Sequence, residues 1–425
     1  MNYLNCFFHL LFILFINELK CQNYGTIELN ETLVLTYPNT SSEKILFGKM
    51  KFYKGQIFYN LPRIKNNAEQ YDKKSTFLSL EGDNYKAWPN EEMNEIEEPT
   101  NCSRFISIID FEFDYEGNIY LLDEGEPDTC STKIYKYNIK EKKQLQSIKV
   151  LLIEQPNILV LNGFVIDTIN NYTYIAYYIK NESSNNVGII AKSLENENSE
   201  YYKRELKDTK YKIDKKYNFS QNVSVNIEAM KINIALSCDG EYLFFSPLAS
   251  RMIYSIKTES FITKSENIYI NEAYKNESTS ALVVSSLGNL FFAGIEYKKI
   301  YIQGQVYNDL SIFNFKGFVS RENDSMNWVT SLSIDDGFLY INSVKEVKEI
   351  KIDNNSNINV TLEIYSAEID NEKSYVYKCS GLGFKWTLNA IFIWIIFLIV
   401  VCIICTFVYY GNKQDEEIKR IKKYK

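Results

Sequence analysis

The chain has 425 residues, with 54 acidic against 47 basic side chains and a formal net charge of −7. An acidic surface fits poorly with nucleic acid or anionic membrane surfaces, which are recognised by clustered Lys and Arg. The chain holds a single histidine, His9.

The N-terminus opens on the apolar run Cys6 to Ile16, CFFHLLFILFI, 11 residues long. A hydrocarbon core needs about 20 helical residues, so this run is too short to span one. The polar residues Asn17, Glu18 and Lys20 follow at once, although no Lys or Arg precedes the run. We read residues 1–22 as a signal peptide, cut between Lys20 and Asn23. His9 leaves with it, and the mature chain then has no imidazole. That excludes His-based acid–base catalysis, a Ser-His-Asp triad and His-ligated zinc. The remaining chemistry belongs to carboxylates, Tyr, Lys, or a hard divalent cation such as calcium held by oxygen ligands.

Residues 23–385 show short runs rich in Ile, Val, Tyr and Phe, broken by Gly, Asn and Asp, which is strand patterning. One hairpin form recurs, at 49–62, 111–125, 164–179, 234–248, 282–295 and 332–344. Its turns fall at Gly55, Gly117, Asn170, Gly240, Gly288 and Gly337, at intervals of 62, 53, 70, 48 and 49 residues. A propeller blade of four strands has a period of about 50 residues. The predicted fold class is therefore all-β: a six-bladed β-propeller ectodomain plus one C-terminal transmembrane helix. Two sandwich domains of about 150–200 residues each are the competing reading; the absence of a Pro/Gly/Ser linker counts against them. The polar stretch 181–225 reads as a loop or a long blade edge.

Several residue types within this region are candidates for chemistry. Cys102, Cys130, Cys238 and Cys379 make an even set for an oxidising compartment, with three connectivities open. Sequons occur at Asn30, Asn39, Asn101, Asn171, Asn181, Asn218, Asn222, Asn276, Asn323, Asn354 and Asn359. All but Asn101, which adjoins Cys102, are taken as glycosylation candidates. Asp110, Glu112, Asp123, Glu124, Glu126 and Asp128 crowd one segment. They read either as a cation site or acidic pocket at the propeller mouth or, preferably, as a solvated loop. Asp114, Asp239 and Asp335 adjoin turn glycines and read as Asx-turn residues. Trp88 and Trp328 read as core.

Leu388 to Tyr410 gives 23 residues without a charge, flanked by Trp386 and by Tyr409 and Tyr410. Length and flanking aromatics predict a transmembrane helix over 386–410. The tail 411–425 carries six basic and three acidic residues, a net of +3, which places it in the cytosol. Residues 1–22 are neutral, so the ectodomain carries −10. Cys402 and Cys405 fall inside the span, as apolar filler or palmitoylation sites. The terminal Lys422-Lys423-Tyr424-Lys425 resembles a dilysine retrieval signal, an address read by a receptor. The expected location is a secretory-pathway membrane, endoplasmic reticulum or cell surface, with the ectodomain lumenal or extracellular.

Five segments, in order, resemble the major royal jelly/Yellow protein family. They are FGKMKFYKGQIFYNLPR (47–63), AWPN (87–90), the stretch from Cys102 to Ile139, ALSCDGEYLFFSPLASRMIYSI (235–256) and WVTSLSIDDGFLYINS (328–343). The similarity covers roughly residues 45–350. It implies a six-bladed propeller and a Cys102–Cys130 disulfide, leaving Cys238 and Cys379 to pair or stay free. Cys238 stands where the family has Pro in a Ser-Pro-Asp-Gly turn. Ser343-Val344-Lys345 stands where the family has Ser-Asn-Arg, so the asparagine of its amine pocket is not carried over.

Two function classes follow. The first is a membrane-anchored module that binds a small ligand or a protein. The second is a cation-dependent enzyme, a lactonase-like hydrolase or dopachrome-type isomerase, using carboxylates in the central channel.

Overall fold

In the computed structural model, the described residues are 30–39, 48–63, 75–81, 84–96, 100–126, 129–150, 159–179, 186–195, 201–206, 217–220, 223–225, 232–248, 250–263, 270–275, 277–296, 298–304, 316–319, 328–352, 355–369, 374 and scattered positions between 396 and 419. Outside them lie residues 1–22, most of 386–410, Asp128, Asn181, Asn222, Asn276, Asn323, Asn354, Cys379, Cys402, Cys405, Lys422 and Lys423. The chain divides into two compact units, Met1–Lys378 and Cys379–Lys425.

The first unit is a six-bladed β-propeller. Strand β1 (Asn30–Asn39) comes first in the chain and belongs to the last blade. Blade 1 is β2 (Met50–Tyr53), β3 (Gln56–Asn60), β4 (Phe77–Glu81) and β5 (Asn84–Ala87). Blade 2 is β6 (Ile108–Phe113), β7 (Asn118–Asp123), β8 (Lys133–Asn138) and β9 (Lys143–Lys149). Blade 3 is β10 (Leu159–Asp167), β11 (Tyr172–Ile179), β12 (Asn186–Ser193) and β13 (Tyr201–Glu205). A two-stranded ribbon, β14 (Tyr217–Ser220) and β15 (Val223–Val225), precedes blade 4. That blade is β16 (Ile232–Leu236), β17 (Tyr242–Pro247), β18 (Met252–Lys257) and β19 (Ile270–Tyr274). Blade 5 is β20 (Thr279–Val284), β21 (Leu290–Gly294), β22 (Ile300–Gln303) and β23 (Lys316–Val319). Blade 6 is β24 (Trp328–Asp335), β25 (Phe338–Ile352) and β26 (Asn355–Glu368), with β1 as its outermost strand. The ring is thus closed by a sheet built from both ends of the unit, β1 running antiparallel to β26 from Asn30↔Ser366 to Asn39↔Ile358.

All six predicted hairpins are the first two strands of a blade, and the five turn glycines have positive φ. In blade 3 the left-handed residue is Asn171 (φ 57°) rather than Asn170. The stretch 181–225 is corrected: β12 and β13 complete blade 3, and only the part beyond 205 is an insertion, the β14–β15 ribbon lying against β25.

Apolar and aromatic side chains fill the spaces between blades. Blades 1 and 2 meet over Phe58, Phe77, Trp88, Phe111 and Phe113, all buried, with Phe77 and Phe111 edge to face at 4.9 Å. Trp88 is fully enclosed and Trp328 is 5% exposed, both in the core. Short helix α1 (Glu91–Asn94) is capped by the Asn90 side chain, which accepts from Met93 N, and α2 (Glu259–Ile262) follows β18. In the second unit, the described positions from Ile396 to Lys419 have helical backbone. Among the described residues, no helix is long and apolar enough to cross a membrane.

Candidate functional site

The first strands of the blades, β2, β6, β10, β16, β20 and β24, surround a central channel. Residues of all six line its cavity, including Lys49 and Lys51, Asp110 and Glu112, Val165, Asn233, Leu282 and Val283, and Ser331 to Ile334. The volume open to the centre of a water molecule is about 50 Å³. At roughly 10–15 Å³ each, that is room for about four waters.

One wall is ionic. Lys49, just ahead of β2, and Lys51 within it are two residues apart, as are Asp110 and Glu112 on β6, so each pair shares a face. Lys49 bonds Asp110, and Lys51 bonds Glu112 at 2.8 Å. Lys51 also lies over the Phe111 ring, 5.5 Å from its centroid, and donates to Phe111 O. The ladder joins blades 1 and 2 across residues 61 apart in sequence. The facing wall, from blades 3 to 5, is largely apolar: Phe164, Val165, Ile234, Leu282 and Val283.

A third wall is stitched. Ser331, Ser333 and Asp335 occupy alternate positions of β24. Ser331 Oγ accepts from Met50 N at 2.9 Å and donates to Met50 O at 3.1 Å. Ser333 Oγ accepts from Phe52 N at 3.0 Å, and Asp335 from Gly55 N at 2.9 Å. Asp335 is therefore more than a turn residue: it binds blade 6 to blade 1. Asp114 does close its own turn, accepting from Glu116 N and Asn118 N, and Asp239 accepts from Glu241 N. Asp167, Ser237 and Ser285 do the same at equivalent places in blades 3, 4 and 5.

A feature missed in the sequence lies five residues before Asp114, Asp167, Ser285 and Asp335, though blade 4 pairs without it. Ile109, Asn162, Ser280 and Thr330 are bulged out of register in β6, β10, β20 and β24. Bulges bend a strand and re-aim its side chains. In blade 6 this brings Thr330 Oγ1 within 2.6 Å of Asn342 Nδ2, which donates to it. No residue-type signal marks these positions; only their constant distance from the turn Asp or Ser does.

The crowded acids separate into different roles, which corrects the solvated-loop reading. Asp110 and Glu112 are buried in the channel ladder, 0% and 7% exposed. Asp123 is buried away from it and accepts from Ile106 N, Ser107 N and Gly125 N. Burial pushes its pKa up, opposed by those three bonds and by the Arg63 charge. Backbone of Glu124 and Glu126 braces the loop to Cys130, where Thr132 Oγ1 donates to Glu124 O and Glu126 pairs with Cys130. Burial also raises Asp167, with Asp239 adding to it.

Arg63, at the end of the 47–63 segment, is a clamp. It is 3% exposed and donates to Phe105 O at 2.7 Å, Ile106 O at 2.8 Å and Asn94 O. Cys102 and Cys130 form a disulfide across 28 residues. Cys238 is also disulfide-bonded. Of the sequons, Asn171 is exposed, whereas Asn101 Oδ1 accepts from Ser103 N and Oγ. For Asn30, Asn39, Asn218 and Asn359 the strand backbone is described.

A hard cation does not fit the channel carboxylates, because each is already bonded to an ammonium group. Among the described residues, no three of His, Cys, Asp and Glu are grouped to hold a metal ion.

Comparison with solved structures finds distant likenesses. A luciferin-regenerating enzyme has TM-score 0.43 and 10% identity, covering 80% of this chain and 97% of its own. A calcium-binding regucalcin from Agrobacterium tumefaciens has TM-score 0.43 and 10% identity, covering 80% and 96%. A periplasmic gluconolactonase from Pseudomonas aeruginosa has TM-score 0.41 and 9% identity, covering 67% and 75%. No curated protein matches the sequence. The family model of major royal jelly protein matches residues 106–374, more than half of the chain. With the six blades and the ordered motifs, this match settles the family: the chain belongs to the major royal jelly/Yellow proteins.

Proposed function

We propose that this protein is a binding module whose central channel takes a small ligand. The observation that carries the reading is the channel's mixed lining. Paired charges stand on one wall, hydroxyls on another and apolar side chains opposite them. Such convergence of a few polar groups in an apolar cavity is the usual character of a small-molecule site. The carboxylates are committed to lysines, which favours binding over cation-dependent hydrolysis or isomerisation.

In this reading residues 1–22 are a cleaved signal peptide, and 23–385 are the lumenal or extracellular ectodomain. Residues 386–410 anchor it in the membrane, and 411–425 form a cytosolic tail in which Lys422 and Lys423 act as a retrieval signal. The uninterrupted apolar run and the basic tail support that topology. Among the described residues, the sequon Asn171 has an exposed side chain to which a glycan could attach. Sensitivity of the glycans to endoglycosidase H, and its loss when Lys422 and Lys423 become Ala, tests the location.

The binding role is tested by thermal-shift screening of small molecules and of calcium on the purified full chain. Val283 lines the channel and is partly buried, so Val283→Trp plugs it at limited cost to the core. A ligand-induced shift abolished by Val283→Trp supports the module. A calcium-dependent shift, or no ligand shift at all, contradicts it.

A further inference from the structure

The channel's ionic wall is asymmetric, and the asymmetry names a ligand class. Resting on the channel-binding reading, we propose that the channel receives the carboxylate end of a small amphiphilic ligand through Lys49 and Lys51.

The lysines stand nearer the open space than their partners. Their side chains are 15% and 14% exposed, against 1% and 9% for Asp110 and Glu112. Each of the four carboxylate oxygens already accepts a bond. Asp110 Oδ2 takes Lys49, and its Oδ1 accepts from Phe111 N at 2.8 Å. Glu112 Oε2 takes Lys51, and its Oε1 accepts from Phe113 N at 3.1 Å. An ammonium group has three N–H donors. Lys49 uses one, on Asp110, and Lys51 uses two, on Glu112 and Phe111 O. Three N–H bonds among the two lysines thus have no acceptor among the described residues. Ser333 adds a fourth donor, because its Oγ accepts from Phe52 N and keeps its own proton to give.

A ligand carboxylate satisfies these donors and leaves both ion pairs intact. An amine head meets two ammonium groups and must displace one of them to reach a carboxylate. Leu282, Val283 and Ile234 on the facing wall suit a short apolar tail. Each ammonium is paired with one carboxylate and the ladder is formally neutral, so selectivity between heads, rather than high affinity, is the expected signature.

The test uses butyrate and n-butylammonium, which share a four-carbon skeleton and differ in the sign of the head. Both are titrated against the full chain by ligand-observed NMR. The proposal expects butyrate to bind and butylammonium not to. Lys51→Met should weaken butyrate about tenfold or more, as expected for losing a charged donor. That variant leaves Glu112 without its ammonium, so Lys51→Met/Glu112→Gln is measured beside it, with unfolding as a fold control. This neutral pair should also lose butyrate, and Lys51→Arg should keep it. Butyrate binding that ignores Lys51 would be an adventitious contact and would overturn the proposal. Preference for butylammonium would overturn the ligand class while leaving channel binding intact. Silence of both probes would overturn the class, and silence of the thermal-shift screen as well would remove the binding reading itself.

Discussion

Replacing Arg63 by Met tests whether blade 1 is fastened to blade 2 by one buried guanidinium. The side chain donates to three carbonyls, those of Asn94, Phe105 and Ile106, and its charge sits near the buried Asp123. Met has similar reach and no donor, so all three acceptors lose their partner. A buried acceptor left unpaired costs about 1–3 kcal/mol, and losses within one network are not additive. A total of about 3–5 kcal/mol follows, a large share of the ~5–15 kcal/mol that holds a typical domain. Urea unfolding of the full chain, followed by tryptophan fluorescence, reports on this place directly, because Trp88 is fully buried and its carbonyl accepts from Asn94 Nδ2. Arg63→Lys should recover only part of the loss, since one nitrogen cannot serve the fork of contacts. A loss below about 1 kcal/mol for Arg63→Met would refute the reasoning, because it would mean that the carbonyls need no donor from this side chain.

Three further outcomes follow. Cutting the Cys102–Cys130 bridge by a double change to Ser frees a 28-residue loop and should cost about 3–4 kcal/mol in the same urea titration; an unchanged midpoint would show that the loop is closed by other contacts. Gly294→Ala places a Cβ 2.0 Å from the Glu277 carboxyl carbon in a buried site, so Tm should fall by the equivalent of about 1–3 kcal/mol, and a neutral result would contradict the packing. Burial raises the folded Asp167 pKa above its unfolded value near 3.8. Its contribution to stability is then fully present below the unfolded pKa and is lost as pH rises through the folded one. Asp167→Asn cannot ionise, so the Tm of the variant relative to the parent should improve between about pH 4 and pH 7; a difference that is flat or falls with pH would contradict the direction of the shift.

The blades were legible because each begins with an apolar hairpin whose turn needs a left-handed residue. Gly55, Gly117, Gly240, Gly288 and Gly337 supply it, and all adopt positive φ. Blade 3 was only half legible. Its outer strand, Tyr201–Glu205, is partly exposed and lies in an Asn- and Glu-rich stretch, where local polarity outweighs the strand pattern. The ionic ladder was not legible at all. Asp110 reads as a surface acid until Lys49, 61 residues earlier, is brought against it by the neighbouring blade. Asp335 likewise sits in the sequence as a turn residue, and its bond to Gly55 N, 280 residues away, exists only when the ring closes. The bulges at Asn162, Ser280 and Thr330 depend on pairing register, which a single strand does not encode.

Whether the channel is the binding site can be read from the reactivity of its two lysine amines. The purified full chain is treated with a lysine-acylating reagent, with and without the small-molecule fraction of its source, and the modified sites are read by mass spectrometry. Lys86 and Lys142 are exposed, with side chains 61% and 43% open, and serve as internal references. Labelling of Lys49 and Lys51 should fall in the presence of ligand while Lys86 and Lys142 are unchanged. Equal labelling of Lys49 and Lys51 with and without the fraction would contradict channel binding.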